Sequence, residues 1–138
     1  MTSITVMKSA LTIIGSILIF LAAVFHLYVF TLETLTWRTP KTWKTFGIPS
    51  QDHADIIAPM AYNQGFYNLF LSIGAGAGLV LLAINSTIAL TLIAASSLSM
   101  VGAGTVLFFN VKRSRRAALM QAGPALLGLL TLIVGQML

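Results

Sequence analysis

Four stretches of the chain are nearly unbroken apolar runs, and three polar connections separate them. The runs extend from about Ser9 to Leu35, Pro59 to Ile84, Thr87 to Phe109 and Ala117 to Leu138. A hydrocarbon core ~30 Å thick takes ~20 residues of helix at 1.5 Å per residue, and each run reaches that length. The pattern predicts an all-α membrane protein: an antiparallel four-transmembrane-helix bundle, with residues 1–138 forming a single transmembrane domain. The first run is too long for a signal peptide and lacks a small-residue cleavage site, so it reads as a retained span.

Only the connection from Thr36 to Ala58 is long. Thr39-Pro40 suits an N-cap and first turn, and Gly47 suits a stop. This predicts a short interfacial helix over 40–46 between the first two spans, with Trp37, Trp43 and Phe46 towards the membrane and Lys41 and Lys44 towards water. A loop with the same anchors is the alternative. Ser50 reads as the cap of another helical start, with Asp52 and Asp55 in its first turns, where the helix dipole favours acids. Pro59 either opens the second span or kinks a longer helix by removing the hydrogen bond to Asp55.

Polar residues inside the runs carry more information, because lipid cannot solvate them. The densest group is Asn63-Gln64-Gly65-Phe66-Tyr67-Asn68 in the second span. At ~100° per residue, Asn63, Gln64, Tyr67 and Asn68 cover roughly 140° of the helix. Such a stripe must face protein or a water-filled cavity. Late in the first span, His26 and Glu33 lie about 20° apart around the helix and about 10 Å apart along it, while Tyr28 points the opposite way. Gln121 and Pro124 occur early in the fourth span. Gly74 and Gly78 form a small-xxx-small pair, and the third span is rich in Ala, Ser and Gly. The second and third spans are therefore expected to pack closely, and their small-residue faces also permit a homodimer.

Composition sharpens this picture. Hydrophobic residues make up 57% of the chain and charged residues 8%, against about 25% charged in soluble domains. With a mean hydropathy of +0.93, no soluble fold of this size could hide so much apolar surface. The net charge of +5 and pI near 10.1 do not indicate nucleic acid, since the basic residues cluster in two segments between apolar runs and no extended basic surface with stacking aromatics exists. The absence of Cys excludes disulfides, thiolate nucleophiles and iron–sulfur ligation.

Arg38, Lys41, Lys44, Lys112, Arg113, Arg115 and Arg116 lie in or beside the first and third connections, and only Lys8 lies at the other end. Seven against one predicts that both basic connections face the cytoplasm. The expected location is the inner (plasma) membrane, multi-pass, with both termini extracytoplasmic. Glu33, His26, Asn63, Gln64, Tyr67, Asn68, Asn110 and Gln121 then share the cytoplasmic half, and the outer half becomes an apolar plug.

Candidate chemistry is confined to that cluster. Glu33 is either an interfacial acid paired with Arg38 or Lys112, or a proton-titrating or cation-binding carboxylate at a pocket mouth. His26 is either a buried neutral histidine bonded to Asn63 or Tyr67, or a proton exchanger. His26, Glu33 and His53 lack the compact spacing of zinc motifs, so no metal and no cofactor are expected, and His53 reads as a solvated surface residue. Three amides with Tyr67 and Gln121 exceed what gluing helices needs, which favours a bound ligand or ordered water. The pocket candidates are His26, Glu33, Asn63, Gln64, Tyr67, Asn68 and Gln121.

The leading functional reading is a cytoplasm-facing pocket that binds or transports a small amphipathic or lipid-like molecule, with membrane lipids around it and proton coupling through Glu33 and His26. The alternatives are an intramembrane enzyme and a structural or accessory subunit. The enzyme would carry out cofactor-independent proton transfer or isomerisation on a lipid-soluble substrate, with His26 or Glu33 as base and Asn63, Gln64 or Asn68 as polarising donors.

A set of these residues also resembles a known family. His26-Leu27-Tyr28, Leu32-Glu33, Trp37, Phe46, the run Asn63-Gln64-Gly65-Phe66-Tyr67-Asn68-Leu69-Phe70-Leu71 and Gln121-Ala122-Gly123-Pro124-Ala125 are similar to the pattern of the small bacterial membrane proteins grouped as domain-of-unknown-function family 1304. The similarity covers nearly the whole chain. Its most specific part is the Asn63–Leu71 segment, and members read Leu in place of Phe66 and of Gly123. The resemblance implies a four-helix integral membrane protein and implies no activity.

Overall fold

A computed structural model describes residues 2–138. Helix α1 (Ser3–Phe30) continues into a π-helical turn (Thr31–Leu35), followed by a short α2 (Pro40–Thr45). Then come α3 (Gln51–Leu81), α4 (Ser86–Asn110), a 3-10 turn (Lys112–Ser114) and α5 (Arg115–Met137). Four helices among the described residues are long and apolar enough to cross a bilayer, so the protein is a membrane protein of the all-α, four-helix class.

The helix ends follow local chemistry. Ser50 caps α3 by accepting from the His53 N–H, and Asn85 caps α4 by accepting from the Ile88 N–H. The Ser50 cap places the start of α3 eight residues ahead of Pro59, so Pro59 sits inside a longer helix rather than opening it. With 31 residues, α3 is about 46 Å long, and its first turns extend past the thickness of a hydrocarbon core. The first helix likewise begins at Ser3, ahead of the expected start, where the Thr2 hydroxyl caps it by accepting from the Thr5 N–H.

Each long helix packs on two neighbours, giving a ring in the order α1, α3, α4, α5 with every adjacent pair antiparallel. The short α3–α4 and α4–α5 connections impose the antiparallel order of those helices. Small residues set how closely the helices meet. The Gly74 and Gly78 backbones face Ser96 and Ile93 of α4. Gly128 of α5 lies against Ile19 of α1, and Gly104 of α4 lies against Ala118 and Ala122 of α5. The Ser72 hydroxyl donates to the Ala23 carbonyl at 2.9 Å, tying α3 to α1. Ile19, Ile93 and Leu132 are fully buried in the middle of the bundle and the half nearer the termini.

The long connection forms a second, smaller core. Trp37 and Trp43 are buried against Ala54 and Ala61 of α3, with Phe46 and Ile57 packed around them. The indole N–H of Trp37 donates to the Ala54 carbonyl at 2.9 Å, and that of Trp43 donates to the Gln51 side chain at 3.1 Å. The short helix α2 therefore exists with its lysines outward, but its tryptophan packs on the protruding start of α3 instead of facing lipid. A buried indole needs a partner for its N–H, and the extended α3 supplies both.

Candidate functional site

The two basic connections meet at one end of the bundle. Arg113 donates to the Phe46 carbonyl at 3.2 Å. Gly47 takes a φ of +72°, and the Arg113 guanidinium occupies the space that a side chain at 47 would need. Beneath this contact lies a cavity of about 690 Å³ walled by α1, α3, α4 and α5. That volume is within the ~300–1,000 Å³ range of small-molecule sites.

One wall is Phe25, Tyr28, Val29 and Leu32, which follow the i, i+3, i+4, i+7 spacing of a single helix face. Val106 and Leu107 of α4 and Met120 of α5 add further apolar surface. Polar groups enter from several elements: Glu33 from the π-turn, Gln64 and Asn68 from α3, and Gln121 from α5.

The centre of this polar set is a pair joining two helices. Asn68 Nδ2 donates to Glu33 Oε2 at 2.8 Å and also to the Gln64 carbonyl at 3.2 Å. Both side chains are 8% exposed. Glu33 is held by an unusual backbone. The Thr36 N–H reaches back five residues to the Thr31 carbonyl at 3.1 Å, while the Thr31 hydroxyl donates to the Tyr28 carbonyl at 2.7 Å. Threonine hydroxyls that bond back to the backbone compete with the regular helical ladder, which accounts for a widened turn in Thr31-Leu32-Glu33-Thr34. Opposite this turn stands Gly65, where an added Cβ would strike the Thr34 hydroxyl. The glycine inside the Asn63–Asn68 segment is thus what lets α3 approach the turn that carries Glu33.

The remaining candidates lie elsewhere. Asn63 and Tyr67 are exposed on the outer side of α3 and line no part of the cavity. His26 is fully buried behind the cavity wall, and neither Asn63 nor Tyr67 is its partner. Its Nδ1 lies 2.9 Å from the Ala22 carbonyl, which can only accept, so Nδ1 carries the proton and Nε2 is left as a buried acceptor without a partner. Glu33 pairs with Asn68 rather than with Arg38 or Lys112. Arg38 instead lies 3.8 Å from Asp55. His53 is exposed, and its ring nitrogen bonds the Ser50 hydroxyl at 2.7 Å. Among the described residues no three His, Asp or Glu side chains gather in one place.

A second cavity of about 350 Å³ lies on the other side of the π-turn, bounded by Trp37, the Arg38–Asp55 pair, Pro59 and Tyr62. Glu33 borders both cavities. Tyr28 and Arg113 are among the contributors to the main cavity that were not sequence candidates. The signal for the first was the spacing of Phe25, Tyr28, Val29 and Leu32.

A family model described as "Protein of unknown function (DUF1304)" matches residues 20–133. The chain belongs to this family. The match takes in every residue that lines either cavity. No curated protein and no solved structure matches the chain. Gly123 and Phe66 sit in simple surroundings in this chain. Nothing lies within 4 Å of a Cβ added at Gly123, and Phe66 stands in a ladder of rings with Phe30, Tyr62 and Phe70 at centroid separations of 5.2 to 6.2 Å.

Proposed function

We propose that this member of the DUF1304 family is an inner-membrane protein that binds a small amphipathic molecule from the cytoplasmic side. In this reading both basic connections face the cytoplasm and both termini lie outside. The observation that carries it is the 690 Å³ cavity, whose apolar walls converge on the Glu33–Asn68 pair. An apolar pocket with a few convergent polar groups suits a ligand with a tail and a head. Binding is favoured over passage through a single copy by the rest of the bundle, where Ile19, Ile93 and Leu132 have no exposed surface.

A second reading is an intramembrane enzyme acting by proton transfer on a lipid-soluble substrate. It is supported by Glu33, whose Oε2 is engaged by Asn68 while no hydrogen bond holds Oε1. Glu33 would be the base, and Gln64, Asn68 and Gln121 the donors within reach of the same space.

The test is native mass spectrometry with organic extraction of the purified protein, wild type beside Asn68→Ala. The substitution removes a hydrogen bond to a carboxyl group, a contribution of about 1.5–3 kcal/mol, so retention of the ligand should fall roughly 10- to 100-fold while membrane insertion is unchanged. Wild type that carries only bulk lipid, or a variant that holds the same molecule equally well, would count against a ligand site.

A further inference from the structure

The charged groups around the main cavity are few and lie at different depths. Glu33 is the only acid in its wall, and Arg113 the only base. Arg113 is exposed at the outer edge and already donates to the Phe46 carbonyl. Glu33 is buried, and its single hydrogen-bond partner is the neutral amide of Asn68. Glu33 Oε1 has no hydrogen-bond partner, yet it is absent from the side-chain atoms that are both sealed from solvent and unbonded, namely His26 Nε2, Thr34 Oγ1 and Ser97 Oγ. It therefore reaches open space.

A carboxylate held away from bulk water is stable only beside a counter-charge or several donors, and this chain places neither on Oε1. The smaller cavity does not lack one, because Arg38 and Asp55 there offset each other at 3.8 Å. In the main cavity a cationic ligand would supply the missing counter-charge. Its surroundings suit a nitrogen cation. The rings of Phe25 and Tyr28 stand in the same wall and favour a cation over their faces, and the side-chain carbonyls of Gln64 and Gln121 add acceptors for N–H groups. An anionic head would meet Glu33 with only the committed, exposed Arg113 to receive it.

Building on the amphiphile-binding reading, we propose that the main cavity takes an amphipathic amine, with its ammonium group seated on Glu33 Oε1 and its hydrocarbon tail lying among Val29, Leu32, Val106 and Leu107. Asn68 acts here as a positioning residue: it fixes Oε2 so that Oε1 turns to the cavity.

Three probes of equal chain length separate the head-group chemistries: decylamine, decanol and decanoate. Each is added at the same concentration to the purified full-length protein, and the one-to-one complex is counted by native mass spectrometry. Decylamine should occupy the protein roughly tenfold or more above the other two, the scale of one charge-assisted hydrogen bond. Glu33→Gln should erase this preference and Arg113→Gln should keep it. The wild-type preference decides the matter even if Glu33→Gln fails to fold. Equal occupancy by amine and alcohol, or a preference for decanoate, overturns the amine assignment and leaves the amphiphile site standing. If none of the three forms a discrete complex, both the amine assignment and the amphiphile site fall.

Discussion

Asn63 and Tyr67 are four residues apart, as are Gln64 and Asn68, and the two pairs follow adjacent strips of α3 about 100° apart. Only the second strip reaches the cavity. The sequence reading joined the strips into one face because polarity alone defined it. The buried positions around them are Ala61 and Gly65, which with Asn68 mark the side turned to α1 and its π-turn. In a membrane helix small residues show where another backbone comes close, and here they divide a polar stripe that hydropathy cannot. His26 illustrates the reverse case: its face was legible, but a buried histidine next to a cavity wall looks the same in sequence as one within it. At this scale Gly65→Ala is the sharpest test. The new Cβ would meet the Thr34 hydroxyl, with Glu33 Cβ at 3.2 Å and Thr34 Cβ at 3.3 Å close behind. The expected cost is about 1–3 kcal/mol, together with weaker ligand retention as the π-turn is pushed away. Thr34→Ala in the same chain removes the hydroxyl and should recover most of both losses. Thermal unfolding in detergent across the four-member mutant cycle measures the coupling, and simple additivity would mean that Gly65 and Thr34 do not hold the turn together.

Elements were easier to read than residues, because apolar run length and cap chemistry act locally. The Ser50 cap, the short helix beginning at Pro40 and the pairing of α3 with α4 all follow from nearby residues. The π-turn did not, since an i→i+5 bond depends on how threonine hydroxyls and the approach of Gly65 resolve together. The inward packing of Trp43 likewise depends on how far α3 projects, which its hydropathy does not reveal. The α3–α4 contact gives a prediction of its own scale. A Cβ at Gly78 would lie 2.9 Å from the Ala89 carbonyl and 2.6 Å from Ile93, whereas one at Gly76 meets nothing within 4 Å. Gly78→Ala should therefore destabilise by about 1–3 kcal/mol. Gly76→Ala should be neutral or stabilise by up to about 1 kcal/mol, the gain in helix propensity. Equal melting temperatures for the two variants would show that α3 and α4 do not meet through this glycine face.

At the scale of the whole molecule, one asymmetry organises everything else. The end that carries the first and third connections holds both cavities, the Trp37–Trp43 core and seven of the eight basic residues, while the half nearer the termini is packed with aliphatic side chains. Arg113 bonded to Phe46 closes that basic end by joining the first and third connections, so one of the clustered basic residues also roofs the cavity. Orientation therefore bears on function: in the proposed reading the basic end faces the cytoplasm, and the cavity is reached from that side. The chain has no cysteine, so single cysteines can be introduced without removing any native one. Lys44→Cys and Lys112→Cys mark the basic end, and Thr2→Cys and Leu138→Cys mark the other; the first three of these positions are exposed in the structure and Leu138 ends the chain in an exposed position. Intact cells treated with a membrane-impermeant maleimide should label positions 2 and 138 and leave 44 and 112 unlabelled until the membrane is opened. The charge difference makes this outcome specific, because cytoplasmic retention of Lys and Arg is what fixes the orientation of short-looped membrane proteins. Labelling at 44 and 112 from outside would invert the molecule and direct the cavity to extracytoplasmic ligands. Labelling at both ends would point to a mixed orientation, with the two ends exchanging sides between copies of the same chain.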